Sequence, residues 1–255
     1  HTTGAPLTIL FTNKNTRSQD YSRFTTHCRP SHADRVAGDK FNGFNDPRGG
    51  GHFSARLTVG LVAAGVVAKK ILPDTLQFTT TMESIGGETD PSQFEAVVAA
   101  ARAEGDSVGG RIRCSVEGLP SGLGEPLFDS AESLIAHLLF AVPAVKGVAF
   151  GAGFAVAERR GSENNDPIID RQGTTATNHA GGIDGGLTNG NPLIVSVAMK
   201  PTPSISREQL SFNRQTDRIE PLTIGGRHDA CVALRGAVVV EAAVAIALAD
   251  LYCRH

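Results

Sequence analysis

A run of three glycines followed by a long uncharged stretch constrains this 255-residue chain more than any other feature. The glycines at 49–51 permit positive φ angles and let the backbone come close to a ligand, because no Cβ stands in the way. Behind them, small or apolar residues recur at the three- and four-residue spacing of a helix that is buried along one face: Leu57, Leu61, Ala64, Gly65, Ala68 and Leu72. With Ser54 as a credible N-cap, we expect a helix over residues 54–72 that is among the most buried in the fold.

The start of this helix is also a candidate anion site. Free N–H groups and the positive end of the helix dipole lie there, beside Arg48, His52 and Arg56. The alternative is a glycine turn that leads into an ordinary core helix, but the cationic and titratable side chains favour the anion site. The stretch lacks both the Gly-Lys-Ser/Thr of a Walker loop and the spacing of a dinucleotide fingerprint.

Composition and charge exclude several classes of protein. A net charge of −2 with 40% hydrophobic residues is typical of an ordinary soluble protein, so we expect neither a nucleic-acid nor a membrane partner. The four cysteines form no CxxC pair, which argues against a zinc site or a disulfide framework and favours a reducing, cytoplasmic location. The apolar stretches at 57–68 and 237–251 are too short or too interrupted to span a bilayer.

Hydrophobic patterning predicts a mixture of strands and helices. We expect strands over residues 6–12, 77–85, 108–119, 145–150 and 193–199, and further helices over 93–103, 130–140 and 237–251. No internal repeat and no clear linker interrupts them. The pattern therefore predicts one domain over residues 1–255.

Two short segments concentrate polar chemistry. Pro30 disfavours a helix just before it, so His32 is expected on a turn or at a helix start, with Arg29 and Asp34 close enough to set its tautomer. A catalytic and a structural role for His32 remain equally open at this point. The second segment, Lys200-Pro-Thr-Pro-Ser204, places a cation before two hydroxyl groups, which is a phosphate-binding composition.

These segments belong to a series of motifs that runs through the chain: the glycine loop, RPSHAD, GDSVGG, GLGEPLFD, PAVKGVAFGAGF, RGSENNDP, TNHAGGIDGG, KPTPSI and GRHDAC. In this order they resemble the chorismate synthase family nearly from end to end. The resemblance implies an α+β fold, a β-α-β sandwich of antiparallel sheets with central helices. It also implies conversion of 5-enolpyruvylshikimate 3-phosphate into chorismate with loss of phosphate, the last step of the shikimate pathway. Family members require reduced FMN, and NADPH is a candidate reductant.

The same resemblance assigns roles to individual residues. It makes His32 a proton or hydrogen-bond donor to the reduced flavin and Asp229 an aid to proton removal at flavin nitrogen 5, while Arg29 and Arg56 bind substrate. The implied cofactor-binding residues are His52, Phe53, Ser54, Ala55, Pro143, Ala144, Gly186, Lys200, Pro201, Thr202, Pro203, Ser204 and Arg227. Because the family's equivalent of the pair at 143–144 contacts FMN across a subunit boundary, we expect a homo-oligomer, a tetramer, with a shared site.

The sequence also departs from the family pattern. A segment with a Gly-Glu-Ser-His-Gly motif and a pair of arginines is not found in it, and the family's Gly-Arg-Ser-Ser-Ala-Arg stretch reads Gly51-His-Phe-Ser-Ala-Arg56. The Arg-His-Asp-Pro-Cys motif reads Arg227-His-Asp-Ala-Cys231. We therefore expect this chain to bind FMN weakly and to form no chorismate. The main alternative is a truncated, inactive homologue that keeps an oligomeric flavin-binding shell, and a flavin reductase is a weaker one.

Overall fold

The structure is a computed structural model that describes residues 2–12, 23–226 and 228–255. Its helices are α1 (Asp34–Lys40), α2 (Thr58–Ile71), α3 (Phe94–Ala103), α4 (Ala131–Phe140), α5 (Gly161–Asn164) and α6 (Ala233–Arg254). Its strands are β1 (Gln77–Ile85), β2 (Gly110–Glu117), β3 (Val145–Phe150), β4 (Ile183–Asp184), β5 (Leu187–Thr188), β6 (Leu193–Met199), β7 (Gln209–Asn213) and β8 (Arg218–Leu222). This mixture of helices and antiparallel sheets confirms the predicted α+β class.

A four-stranded antiparallel sheet in the order β1-β2-β6-β3 forms the frame. The side chains of β2 alternate strictly, so that Ile112, Cys114 and Val116 are fully buried while Arg111 and Arg113 point to solvent. Such alternation is typical of a sheet with one covered and one solvated face. The pairs β4–β5 and β7–β8 form two separate two-stranded sheets.

Helix α6 covers the buried face of this sheet and is the central helix of the fold. It packs against α2, α4, β1 and β2, and its many small residues permit close contacts. A Cβ on Gly236 would lie 2.2 Å from the sulfur of Met199, and one on Gly65 of α2 would lie 2.5 Å from the Cβ of Ala242. By length and composition alone α6 could cross a membrane, but 61% of its most apolar stretch is buried within the protein, as in a core helix.

One polar contact ties α2 to α6 and to the sheet. Lys69 forms an ion pair with Glu241, and the hydroxyl of Thr80 donates a hydrogen bond of 2.6 Å to the other carboxylate oxygen of Glu241. The ammonium group of Lys69 also lies 4.6 Å from the centre of the Phe78 ring, a distance suited to a cation–π contact. The three elements therefore share one partly buried charge cluster.

The expectation that the helix over 54–72 is among the most buried is wrong for this chain by itself. A short 3₁₀ turn over Ala55–Leu57, capped by the Ser54 side chain, precedes α2, and Leu57, Val59, Val66 and Ile71 are each 45–55% exposed. Helix α2 packs on α6 mainly through the narrow stripe that contains Gly65 and Ala68. An uncharged sequence indicates that a helix can be buried, but it does not indicate how many sides of the helix are covered.

The predicted strand over residues 6–12 is also wrong. These residues form no strand, and Leu7, Ile9, Leu10 and Phe11 are 47–82% exposed. A strand requires a hydrogen-bonded neighbour, and residues 6–12 pair with no described strand. The β7–β8 hairpin was not predicted, because its more covered face carries polar residues such as Ser211 and Asn213 while Leu210 and Phe212 point outwards.

The other predicted strands and helices agree with the structure to within a few residues. Strands β1, β3 and β6 begin and end at the predicted residues. Helix α4 begins after Ser130, whose hydroxyl accepts a hydrogen bond of 3.1 Å from the backbone of Ser133, as expected for an N-cap. Helix α6 is longer than predicted at both ends. The assignment of a single domain stays a prediction.

Candidate functional site

The RPSHAD segment forms a compact charge cluster at the start of α1. The Asp34 carboxylate accepts hydrogen bonds from Arg29 Nε at 2.8 Å and Nη2 at 2.7 Å. His32 Nδ1 lies 2.6 Å from Asp34 Oδ1, and the guanidinium group of Arg29 stacks over the buried ring of Phe24 at 4.6 Å. His32 sits in the turn before α1, as predicted.

The cluster keeps Asp34 ionised. Burial of its carboxyl group raises the pKa, but hydrogen bonds from Arg29 and His32 outweigh this effect and hold the pKa well below its ordinary value. Arg29 is itself 7% exposed and donates through Nη1 to the hydroxyl of Ser204 at 3.1 Å. Its guanidinium group is therefore largely committed to protein partners, which leaves it little capacity to bind the substrate that the resemblance assigned to it.

The KPTPS segment lies directly beside this cluster. Besides the contact between Ser204 and Arg29, Lys200 Nζ donates to the carbonyl oxygen of Ser31 at 2.5 Å. Burial of the ammonium group, together with the nearby charge of Lys146, lowers the pKa of Lys200 from its ordinary value. The two polar segments singled out in the sequence thus meet in space, through contacts between residues 169 and 175 positions apart along the chain.

Thr202 carries a buried polar atom that the protein does not satisfy. Its Oγ1 atom is inaccessible to solvent and has no hydrogen-bond partner among the described residues. The backbone of the same residue is well held, because its carbonyl oxygen accepts a hydrogen bond of 2.7 Å from Ser107 Oγ. An unpaired buried hydroxyl is costly in a folded protein, so this atom calls for a partner such as a water or an ion.

The glycine loop packs against the other side of His32. The Nε2 and Cε1 atoms of His32 lie 3.8 Å from the point where a Cβ on Gly50 would stand. At Gly51, with a φ of +55°, a Cβ would lie 2.3 Å from the carbonyl oxygen of Asp46, so only glycine fits there. The side chain of Ser54 accepts a hydrogen bond from the backbone of Arg56 at 3.3 Å, which orients the start of the following helix.

The cations around the loop differ in availability. Arg48 pairs with Asp46 at 2.6 Å, and hydrogen bonds from Arg48 lower the pKa of Asp46 to about 2. Arg56 is exposed and forms no ion pair with any residue that the structure describes. His52 and Phe53 are exposed as well, and so is Ala55. Arg56 is therefore a free cation beside the loop, whereas Arg48 is already neutralised.

A cleft of about 290 Å³ opens between the RPSHAD segment and the glycine loop. Its walls include Phe24, His32, Asp34, Gly50 and Phe53. Small-molecule sites commonly measure roughly 300–1,000 Å³. This cleft lies just below that range, so a larger ligand would need additional surface.

The pair Pro143–Ala144 lies next to Lys200. The carbonyl oxygen of Ala144 accepts a hydrogen bond of 2.9 Å from the backbone N–H of Lys200, and the neighbouring residues of β3 and β6 are paired. These residues therefore belong to the same region as the KPTPS segment within one chain. Whether they also reach a neighbouring subunit stays a prediction.

Gly186 lies at the opposite end of α4. Its carbonyl oxygen accepts a hydrogen bond of 2.8 Å from the backbone of Ala131 at the first turn of α4, whereas Ala144 follows the last turn. A helix of 10 residues is about 15 Å long. The structure therefore does not bring Gly186 together with the other predicted cofactor-binding residues in one chain.

Two predicted residues lie near the end of the GRHDAC segment. Asp229 forms an ion pair of 3.1 Å with the exposed Arg235, and the carbonyl oxygen of the adjacent Ala230 accepts a hydrogen bond of 2.7 Å from Val108. This contact places the segment against the GDSVGG loop, whose Ser107 holds Thr202. Arg227 lies outside the described residues.

The residues missed by sequence reasoning are those that support the site. Ser107 holds the backbone of Thr202, and Phe24 lies under the guanidinium group of Arg29. Ser107 belongs to the GDSVGG motif, to which the sequence assigns no role. Phe24 carried no signal, because a lone aromatic residue in a polar stretch has no distinctive pattern.

Comparison with known proteins shows the family of the chain. Residues 1–253 match the protein family described as chorismate synthase. The chain is 57% identical over 251 residues to the chorismate synthase of Chitinophaga pinensis, a match that covers 98% of this chain and 74% of that protein. It is 43% identical over 280 residues to the chorismate synthase of Dehalococcoides mccartyi, covering 99% and 77%.

A solved structure is similar as well. A crystal structure of chorismate synthase superimposes with a TM-score of 0.70 and 27% sequence identity, covering 87% of this chain and 70% of that chain. The sequence and structure comparisons thus point to the same family as the motifs.

Proposed function

Because the chain belongs to the chorismate synthase family, we propose that it acts on 5-enolpyruvylshikimate 3-phosphate and forms chorismate by 1,4-anti elimination of phosphate. The proposal includes reduced FMN as the cofactor. When bound, reduced flavin supplies the transient electron donation that such an elimination requires, because the ring hydrogen is not acidic enough for an ordinary base.

The observation that carries this proposal is the junction of the RPSHAD and KPTPS segments, with the buried Oγ1 of Thr202 left unpaired. Since Oγ1 is inaccessible to solvent, a phosphate or flavin oxygen or nitrogen would satisfy it once the Thr202 side chain turns its hydroxyl outwards. Lys200 supplies a neighbouring cation, and the N–H groups of the glycine loop supply further donors. The candidate residues therefore fit an anionic, hydrogen-bonding cofactor.

Each remaining side chain would have a defined task. Arg56, exposed and without an ion pair among the described residues, would hold an anionic group of the substrate through a charge-assisted contact. His32 would hold or donate a proton through Nε2, the ring nitrogen that faces the glycine loop. Asp229 would accept a proton, for which it must leave Arg235 or share its carboxylate with it.

We further propose a homo-oligomer, a tetramer, in a cytoplasmic location, with NADPH as a candidate source of electrons for the flavin. The oligomer is supported by the exposed apolar residues of α2 and by the distance along α4 between Gly186 and Ala144, since a neighbouring chain can supply a residue that one chain holds too far away. Sedimentation that gives a well-folded monomer at micromolar concentration would contradict the oligomer.

The test of function is anaerobic incubation of the 255-residue chain with photoreduced FMN and 5-enolpyruvylshikimate 3-phosphate. The proposed activity predicts chorismate absorbance and released phosphate in equal amounts, whereas the alternative of an inactive homologue, which the departures from the family pattern favour, predicts neither product. The control is the same mixture with oxidised FMN, which is expected to give neither product. Flavin binding without either product would refute catalysis by this chain while keeping the binding site.

Thr202 offers a direct test of the binding site. Thr202→Val removes the unpaired hydroxyl and keeps the side-chain shape, so we expect unchanged or higher stability but weaker FMN binding by about 1 kcal/mol, roughly fivefold. Thr81→Val, on the solvated face of the sheet, is the matched control. Flavin titration by fluorescence measures both variants, and equal affinity in the two would remove Thr202 from the site.

A further inference from the structure

The carboxylate of Asp34 can accept almost no further hydrogen bonds. Oδ2 accepts hydrogen bonds from the backbone N–H of Arg29 at 3.0 Å and from its Nε at 2.8 Å. Oδ1 accepts a hydrogen bond from Nη2 of Arg29 at 2.7 Å and lies 2.6 Å from Nδ1 of His32. The side chain of Asp34 is only 11% exposed. The carboxylate is thus fixed in place from two sides.

This arrangement determines which nitrogen of His32 carries the proton. An ionised carboxylate can only accept hydrogen bonds, so a lone pair on Nδ1 at 2.6 Å would be repelled by Oδ1. Arg29 Nη2, which can only donate, also lies 3.0 Å from Nδ1, and a bond there would require Nδ1 to accept. The same Nη2 is closer to Oδ1, to which it donates at 2.7 Å. Because the 2.6 Å contact between Nδ1 and the carboxylate is the shorter one, we assign the ring proton to Nδ1 and leave Nε2 as the unprotonated nitrogen of the neutral ring.

We infer that Asp34 is a positioning residue for the proposed reaction, because it holds His32 in the Nδ1–H tautomer and aims Nε2 at the glycine loop. In this role Nε2 takes up a proton and returns it, while Asp34 stays ionised and stabilises the imidazolium. Asp34 also orients Arg29, which reaches Ser204. One carboxylate thereby aligns the histidine with the KPTPS segment. The tautomer assignment does not depend on the proposed function. Only the catalytic use of the proton on Nε2 rests on it.

The test compares Asp34→Asn with Asp166→Asn. Asp166 is a matched control because its side chain is similarly buried, at 9% exposure, and lies 3.3 Å from Nδ1 of another histidine, His179. It also supports a loop, through hydrogen bonds to Thr177, His179 and Ala180. Each variant therefore loses a buried carboxylate, but only Asp34→Asn acts on His32.

The first readout is the ¹⁵N NMR spectrum of the histidine rings at a pH where they are neutral, with the His32 signals assigned from a His32→Gln variant. Wild-type protein is expected to show a protonated Nδ1 and a pyridine-type Nε2 at His32. Asp34→Asn is expected to populate the other tautomer, and Asp166→Asn to leave His32 unchanged. A wild-type His32 protonated at Nε2 overturns the inference, whether or not the variant folds.

The second readout is turnover in a double-mutant cycle. Asp34→Asn is expected to lower turnover by roughly 10²-fold. The double variant Asp34→Asn, His32→Gln is expected to be slower than His32→Gln alone by far less than this, since Asp34 acts mainly through His32 and otherwise only orients Arg29. Fully additive losses, or an equal loss in Asp166→Asn, would make Asp34 merely structural. The expected tautomers without chorismate formation would refute the proposed function and retain the tautomer assignment.

Discussion

Replacing Gly65 by alanine would insert a methyl group where α2 meets α6. The new Cβ would lie 2.5 Å from the Cβ of Ala242, 2.7 Å from its Cα and 3.2 Å from its carbonyl oxygen. Real Cβ atoms do not approach other carbons this closely. Since two of the three neighbours are backbone atoms, a change of rotamer cannot relieve the clash, and the two helices must move apart.

The size of the effect follows from two opposing terms. Overpacking a core contact costs roughly 1–3 kcal/mol, while alanine in place of glycine inside a helix gains about 0.5–1 kcal/mol. The backbone clash places this site towards the upper part of the overpacking range, so we expect a net loss of about 1–2 kcal/mol. In a chain of this length that corresponds to a fall in Tm of about 2–8 °C.

The assay is urea unfolding followed by circular dichroism, with thermal unfolding as a check. Gly60→Ala is the matched control, because Gly60 lies on the same helix and a Cβ there would meet nothing within 4 Å. That variant is expected to gain about 0.5–1 kcal/mol. The double variant Gly65→Ala, Ala242→Gly should recover part of the loss. Equal stabilisation by both single variants would refute the close α2–α6 contact.

Three further predictions concern single side chains. Glu241→Gln removes the anionic partner of Lys69 and should lower the free energy of unfolding by about 1–2 kcal/mol, measured in urea. The pKa of Asp34 is lower in the folded than in the unfolded state, so its contribution to the free energy of unfolding is complete above roughly pH 5 and falls as the pH drops below about 4. Urea unfolding at pH 6 and at pH 3 should therefore show that Asp34→Asn loses less stability in acid than wild type does. Burial raises the pKa of the Cys114 thiol to about 11, so a thiol reagent at pH 8 should label the exposed Cys253 first and Cys114 only in denaturant.

The elements whose bounds the sequence predicted best are strands of the four-stranded sheet. Strands β1, β3 and β6 agree at both ends, because their patterns report burial that the sheet itself supplies. Residues 6–12 have an equally strand-like pattern, yet a strand exists only with a partner, which a local pattern cannot report. For the same reason the apolar sequence of α2 predicted burial that the chain by itself does not provide.

The candidate site shows the same limit. The motifs identified Lys200, Ser204, His32 and the glycine loop, and the structure brings them together. Their spacing did not reveal that Arg29 is occupied by Asp34 and Ser204, because hydrogen-bond partners 175 residues apart leave no local trace. It also did not reveal that Gly186 lies at the other end of α4 from Ala144.

The order of elements along the chain has a consequence for how this protein is made. The sheet joins β2 to β6 across the long segment between Glu117 and Leu193, and its inner face is covered by α6, which follows every one of its strands in the sequence. On the ribosome, a sheet carrying Ile112, Val116, Val195 and Val197 therefore has no central helix to cover it until α6 has been synthesised. Until then the nascent chain depends on other cover, such as a chaperone, to keep this apolar surface from aggregating.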